Sequence, residues 1–186
     1  MSRSDLQEVL RRYRERYPLE APVVDEIESL VSGHANCFDR SCRPGHVTAS
    51  AWVLSPDGSR CLLVHHVKLG RWLQPGGHCD GQTDPGSVAR REVEEETGLR
   101  DLAFLSDEPL DLDVHRIPAR HNPAGLEIES AHDHHDFRYL LQARGHEVLL
   151  CSEESHDVRW FTRTELMQAT DEESVLRMMH KAGPHA

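Results

Sequence analysis

Apolar residues recur at helical spacing twice near the amino end, as Leu6, Val9, Leu10, Tyr13 and Tyr17 up to Pro18, and as Val24, Ile27, Leu30 and Val31 up to Gly33. Two short amphipathic helices are predicted. Neither buries its stripe alone, so the pair must pack on the main body or on another subunit, and a homodimer contact is one expectation. The pattern then changes. Val47 to Leu54 reads as a buried strand, Pro56-Asp57-Gly58-Ser59 as a turn, and Cys61-Leu62-Leu63-Val64 as the start of a second strand, together a hairpin. Asp84 to Thr97 has helix composition, with Asp84 as N-cap, Pro85 at the tolerated first position and Gly98 as the stop. Further strands are predicted over Leu102 to Leu105, Leu110 to Arg116, Asp136 to Ala143 and Val158 to Phe161. Thr162-Arg163-Thr164-Glu165 resembles a capping box opening a short helix, and Asp171 to Lys181 forms the last one. Pro118 to Ser130 is the long segment without a periodic pattern and therefore a candidate functional loop.

A chain of 186 residues suffices for one buried core with an added element, which divides it into a helical extension over 1–45 packed on a main domain over 46–186. Its 21 Lys and Arg against 32 Asp and Glu give a net charge of −11. That balance repels polyphosphate backbones and anionic membranes, so neither nucleic acid nor membrane is an expected partner. The chain has no apolar run of membrane-spanning length, and its Arg-rich opening holds Asp5, Glu8 and Glu15, which a transit peptide would avoid; a cytoplasmic location is expected. Five Cys form an odd, sparse set and are expected to be reduced.

The chemistry-bearing segment is Arg91-Glu92-Val93-Glu94-Glu95-Glu96-Thr97-Gly98-Leu99. Glu92, Glu95 and Glu96 stand at i, i+3 and i+4 and leave one helix face together. Three like charges on one stripe repel unless a cation sits among them. All-oxygen ligands suit Mg²⁺ or Mn²⁺, and Mg²⁺ typically shares its shell between carboxylates, water and substrate phosphates, so a phosphate-bearing substrate is expected. A Glu-rich stretch alone is usually just a solvated helix face. Here Leu73-Gln74-Pro75-Gly76-Gly77 precedes it, a short apolar strand breaking into a glycine pair that lets backbone approach a ligand, and Arg91 lies i to i+4 with Glu95 and can orient it.

This segment resembles the Nudix signature, G-x5-E-x7-R-E-U-x-E-E-x-G-U with U a bulky aliphatic residue. Gly77 matches the first glycine, Arg91-Glu92 the R-E pair, Val93 the first U, Glu95-Glu96 the paired acids and Gly98-Leu99 the close. One fixed position departs, where the family Glu is replaced by Thr83; capping by the Thr83-Asp84-Pro85 start is expected to substitute for its support. The resemblance, which covers about Val47 to Lys181, implies an α/β fold, an α/β/α sandwich around a mixed central sheet. It also implies hydrolysis of a nucleoside diphosphate linked to another moiety, with a nucleoside diphosphate sugar or ADP-ribose as leading substrates. Nucleoside triphosphates, dinucleoside polyphosphates and coenzyme A are open alternatives, as is a regulatory module that binds a nucleotide without cleaving it. By the same resemblance Glu92, Glu95, Glu96 and the Gly77 carbonyl hold the metal. The base is Glu95 oriented by Arg91, another of the carboxylates, or an acid on a later loop such as Glu127, Glu129, Glu153 or Glu154.

Several other groups compete for attention. Arg71, Trp72 and His78 flank the glycine pair and, with Gly76 of the pair itself, are candidate substrate contacts, although Trp72 reads first as core packing. His34, Cys37, Cys42 and His46 have ligand types that suit Zn²⁺, but the simpler reading is a loop with buried Cys and scattered His. His132 and His134 alternate on one strand face, with Asp133 and His135 on the other; a polar strand edge is preferred there over metal or phosphate binding. His65 and His66 border the hairpin. No triad pattern supports Cys79 as a nucleophile.

Overall fold

The computed structural model describes residues 1–145, 148–153 and 155–183. Helices α1 (Arg3–Arg16) and α2 (Ala21–Gly33) come first, joined by a 3-10 turn over Pro18–Glu20 where Pro18 interrupts the helical ladder. Ser2 caps α1 in a complete capping box with Asp5. Their stripes, Leu6, Leu10, Tyr13, Val24, Ile27 and Val31, enter the same core as Val47, Leu112 and Phe137 of the sheet. The extension therefore buries its apolar face on its own chain.

Eight strands form one mixed sheet with the central order β10-β2-β1-β9-β5. Strand β1 (Gly45–Leu54) runs parallel to β9 (His132–Ala143) over its whole length, and every other pairing is antiparallel. The predicted hairpin of β1 with β2 (Cys61–His66) is present but short, Val53 facing Leu62 and Leu54 facing Cys61. Further along that edge β1 takes a different partner, β4 (Gly76–His78), with Thr48 opposite His78 and Ser50 opposite Gly76. Strand β3 (Arg71–Leu73) pairs β2; β5 (Leu102–Phe104) and β6 (Asp111–Ile117) pair β9; β10 (Ser155–Phe161) pairs β2.

One sheet face is apolar along most of its length, giving way to His135 and Asp133 at the start of β9. Val47, Ala49, Ala51 and Val53 of β1, with Phe137, Tyr139 and Leu141 of β9, pack under α1, α2 and α3 (Pro85–Thr97), which presents Val88, Ala89 and Val93. The opposite face is apolar only at one end. There Trp52, Leu54, Leu63 and Phe161 meet α4 (Arg163–Ala169) and α5 (Glu173–Ala182) through Leu166, Val175, Met178 and Met179. The layers are thus helix, sheet and helix. No helix among the described residues is long and apolar enough to cross a membrane.

Several sequence expectations shift. The glycine pair is a strand, β4, and the turn follows it at Asp80 and Gly81, whose φ values are 48° and 86°. Strand β9 begins at His132, four residues before the expected start, because its polar residues are held between β1 and β6. Pro118 to Ser130 folds into its own hairpin, β7 (Arg120–His121) with β8 (Glu127–Glu129), turned through Asn122 and Gly125. Asp84 stands at the N-cap of α3 but bonds no helix amide; the Ser87 hydroxyl takes its carboxylate at 2.6 Å. Thr83 donates instead to the Met1 carbonyl at 3.0 Å, so the capping expected to replace the family Glu does not form.

Candidate functional site

Helix α3 and strand β4 build the acidic site together. Gly77 lies opposite Ala49 and so faces α3, close enough that a Cβ there would sit 2.6 Å from the Glu92 carboxylate carbon. Only glycine lets this backbone run against that carboxylate. Arg91 ties the parts together: its guanidinium lies 2.9 Å from Glu92 Oε1 and 3.0 Å from Glu95 Oε2, and it donates to the His78 carbonyl at 3.0 Å. Its expected hold on Glu95 is present, and it grips Glu92 and β4 as well. The Glu92 side chain is only 12% exposed and that of Glu95 is 59% exposed, so the stripe runs from the core to solvent. Glu96 is half-buried. Glu94 turns away from this group to pair with Arg90. A buried-to-exposed row of carboxylates beside a backbone that admits no side chain fits a hard divalent cation, whose ligands are oxygens.

Across β4 the polar sheet face begins. His46, Thr48 and Ser50 of β1 lie opposite His134, Asp136 and Arg138 of β9, which lie opposite His115, Asp113 and Asp111 of β6. Asp136, buried, accepts from Thr48 at 3.0 Å and Ser50 at 2.8 Å, and pairs with Arg138 at 2.9 Å. Arg138, 2% exposed, also reaches Asp111 at 3.1 Å and Asp113 at 2.9 Å. Burial opposes its charge, but Asp136, Asp113 and Asp111 hold it protonated beyond the usual arginine range. Burial alone would raise the Asp113 carboxyl; the bond from His115, the charge of Arg138 and the bond from Arg177 keep it well below the usual carboxylate range. From α5, Arg177 joins Asp111 and Asp113 at 2.8 Å each, and Lys181 joins Asp111, Glu20 and the Tyr13 hydroxyl at 2.7 Å. Sequence reasoning missed this network. Its signal was the alternation Asp111, Asp113, His115 on one strand and Asp136, Arg138 on another, legible only once the two strands are in register.

Beyond Asp136 the same face turns into imidazole. His46, His78 and His134 bring ligand atoms within 4.8 Å of one another, and His132 stacks on His46 with ring centroids 4.9 Å apart. The edge position preferred for His132 and His134 is incorrect, since β9 is flanked on both sides and His132 is 1% exposed. Burial first, and the neighbouring imidazoles second, push His46 down to about 3 and His134 to about 2, so both are neutral at neutral pH.

The remaining candidates scatter. Trp72 packs edge-on against Phe161 at 4.8 Å, beside the second core. Arg71 is ion-paired with Glu172. His65 lies against Trp72 and His156. The buried Cys37 and Cys42 do not join His34 and His46 in any metal-sized group among the described residues. Burial raises the Cys79 thiol far above neutrality, consistent with no nucleophilic role, and none of the five cysteines is in a disulfide. Glu127 is exposed, Glu129 pairs with Arg120 and lies 3.9 Å from His132, and Glu153 is exposed in a turn; Glu154 lies outside the described residues.

Comparison with known proteins gives a family model described as the NUDIX domain matching residues 44–181. A probable DHNTP pyrophosphohydrolase of Lactococcus lactis subsp. cremoris is 32% identical over 104 residues, 56% of this chain and 58% of that one. The chain thus spans under two thirds of the length of this curated relative. Among solved structures, the C. elegans Ap4A hydrolase binary complex superimposes with a TM-score of 0.57 at 16% identity, over 73% of this chain and 93% of that chain. A NUDIX-family hydrolase from Clostridium perfringens gives 0.55 at 22% identity, over 74% and 95%. At such identities these likenesses speak for the fold.

Proposed function

Since the chain belongs to the Nudix family, its domain model matching residues 44–181, we propose that it is a Mg²⁺- or Mn²⁺-dependent pyrophosphohydrolase acting on a nucleoside diphosphate linked to another moiety. The observation that carries this reading is the Gly77 backbone laid against Glu92 at the buried end of the Glu92, Glu95 and Glu96 stripe. Those three carboxylates and the Gly77 carbonyl would hold the ion, which when bound neutralises the pyrophosphate and makes hydroxide available near neutral pH. Arg91 keeps Glu92 and Glu95 in place, each at about hydrogen-bond distance, so the ligand row is organised before substrate arrives. Glu95, the most exposed of the Arg91-held acids, is the group we assign as the base taking a proton from water. Of the candidate substrate contacts, Gly76 and His78 on β4 lie opposite Ser50 and Thr48, on the sheet face turned away from Gly77 and the carboxylate row, and Arg71 and Trp72 on β3 are the outer contacts of the substrate reading.

For the substrate, a nucleoside diphosphate sugar or ADP-ribose is the leading reading, resting on likeness of the chain, Gly77-His78 and Leu112 to Pro118 included, to other members of the family. A second, a pterin triphosphate, is favoured by the name of the Lactococcus relative. The deciding experiment is a panel of ADP-ribose, nucleotide sugars, nucleoside triphosphates and dihydroneopterin triphosphate with Mg²⁺ or Mn²⁺, products identified by mass after reaction in ¹⁸O water. Metal-dependent turnover that falls by about 10²-fold or more in Glu95→Gln and Glu96→Gln is expected. Nucleotide binding without turnover across the panel would instead indicate a regulatory module.

A further inference from the structure

The acidic site leaves unexplained the imidazoles on the other side of β4. His46 is 1% exposed, and neither its Nδ1 nor its Nε2 has a hydrogen-bond partner. A neutral imidazole carries one N–H and one lone pair, and burying both unmet leaves the desolvation cost of each uncompensated. His132 Nε2 and His134 Nε2 are buried and unmet in the same way. Such a concentration of orphaned nitrogen is rare in a folded interior, where buried polar atoms nearly always find partners.

The neighbours set the tautomers. His132 Nδ1 lies 2.8 Å from the Ser130 carbonyl, which can only accept, so that nitrogen carries the proton and Nε2 presents its lone pair. His115 Nδ1 lies 3.0 Å from Asp113, the carboxylate–histidine arrangement that orients an imidazole for a metal. Its ring stands 5.4 Å from that of His134. The nitrogens come from β1, β4 and β9, whose positions are fixed by the sheet register.

We propose that His46, His78 and His134 bind a divalent transition-metal ion of the zinc class, at a site separate from the carboxylate row and back to back with it across β4. Nitrogen ligands select this class over Mg²⁺, which prefers oxygen. His115 or His132 stands ready for a fourth position, or water fills it. Zinc–nitrogen bonds of about 2.0–2.1 Å require the three rings to draw inward from their present spread, a motion that ring rotation supplies. The ion clamps β4 to β1 and β9, and so steadies Gly77 on the opposite side. This assignment stands independently of whether the carboxylate row hydrolyses anything.

The test is zinc binding by the full chain, read by metal analysis after gel filtration and by X-ray absorption at the zinc edge. One equivalent of zinc with imidazole scattering is expected, retained in excess Mg²⁺ and in the Glu95→Gln/Glu96→Gln double variant. His46→Ala and His134→Ala should each weaken binding at least tenfold. Folded wild type taking up less than a tenth of an equivalent overturns the proposal. So does an all-oxygen shell, or uptake lost in the Glu double variant and kept in the His variants. The wild-type spectrum decides the matter even if a His variant fails to fold.

Discussion

Two adjacent glycines do different work. A Cβ at Gly77 would meet the end of the flexible Glu92 side chain, whereas one at Gly76 would lie 2.3 Å from Ser50 Cβ and 2.8 Å from the Ala49 carbonyl oxygen. Gly77→Ala should therefore leave the fold standing and displace the carboxylate, lowering kcat/KM by about a hundredfold, as a misplacement near 1 Å does. Gly76→Ala forces backbone apart and should cost about 1–3 kcal/mol of stability. Urea unfolding of both variants beside steady-state kinetics checks the pair; equal stability losses would contradict it. The Glu92, Glu95 and Glu96 stripe was readable from sequence because one helix carries it and the period of 3.6 places it. The partners of His46 were not, because they arrive from two other strands.

At the scale of elements, α1, β6, β9 and α5 are joined by one buried ionic network. Tyr13 accepts from the Leu112 amide at 3.0 Å and meets Lys181, so the N-terminal helices are tied to the last helix over the β6 edge. Arg138 is its hub. Arg138→Ala would leave the buried Asp136 without its cation, while Arg177 still meets Asp111 and Asp113 and Lys181 still meets Asp111, and removing one partner of a buried pair costs about 3–5 kcal/mol. Denaturant midpoints at constant m-value measure this loss; a change under about 1 kcal/mol would show that the network contributes little. Helix bounds were close to their sequence prediction, since caps and prolines mark them locally. Strand β9 and the β7–β8 hairpin were not, since polar residues hid one and the absence of periodicity the other.

For the whole molecule, acid should be destabilising in two stages. His46 and His134 hold folded values of about 3 and 2 against about 6.5 unfolded, so the unfolded chain takes protons first as pH falls. Their contribution is complete above about pH 6.5 and is lost progressively below it. Asp113, also depressed, adds a further loss below about pH 3.9. Urea midpoints of chelator-treated protein should drop between pH 7 and pH 5; a flat profile there would contradict neutral buried imidazoles. Sequence alone determined the helices, the carboxylate row and the family likeness, because these depend on residues within one turn or one motif of each other. Tertiary structure decided that glycines form a strand, that Thr83 caps nothing, and that separate strands assemble an arginine-centred network and a histidine cluster. Those outcomes depend on which strands become neighbours and in what register, and burying the apolar face of the sheet sets both.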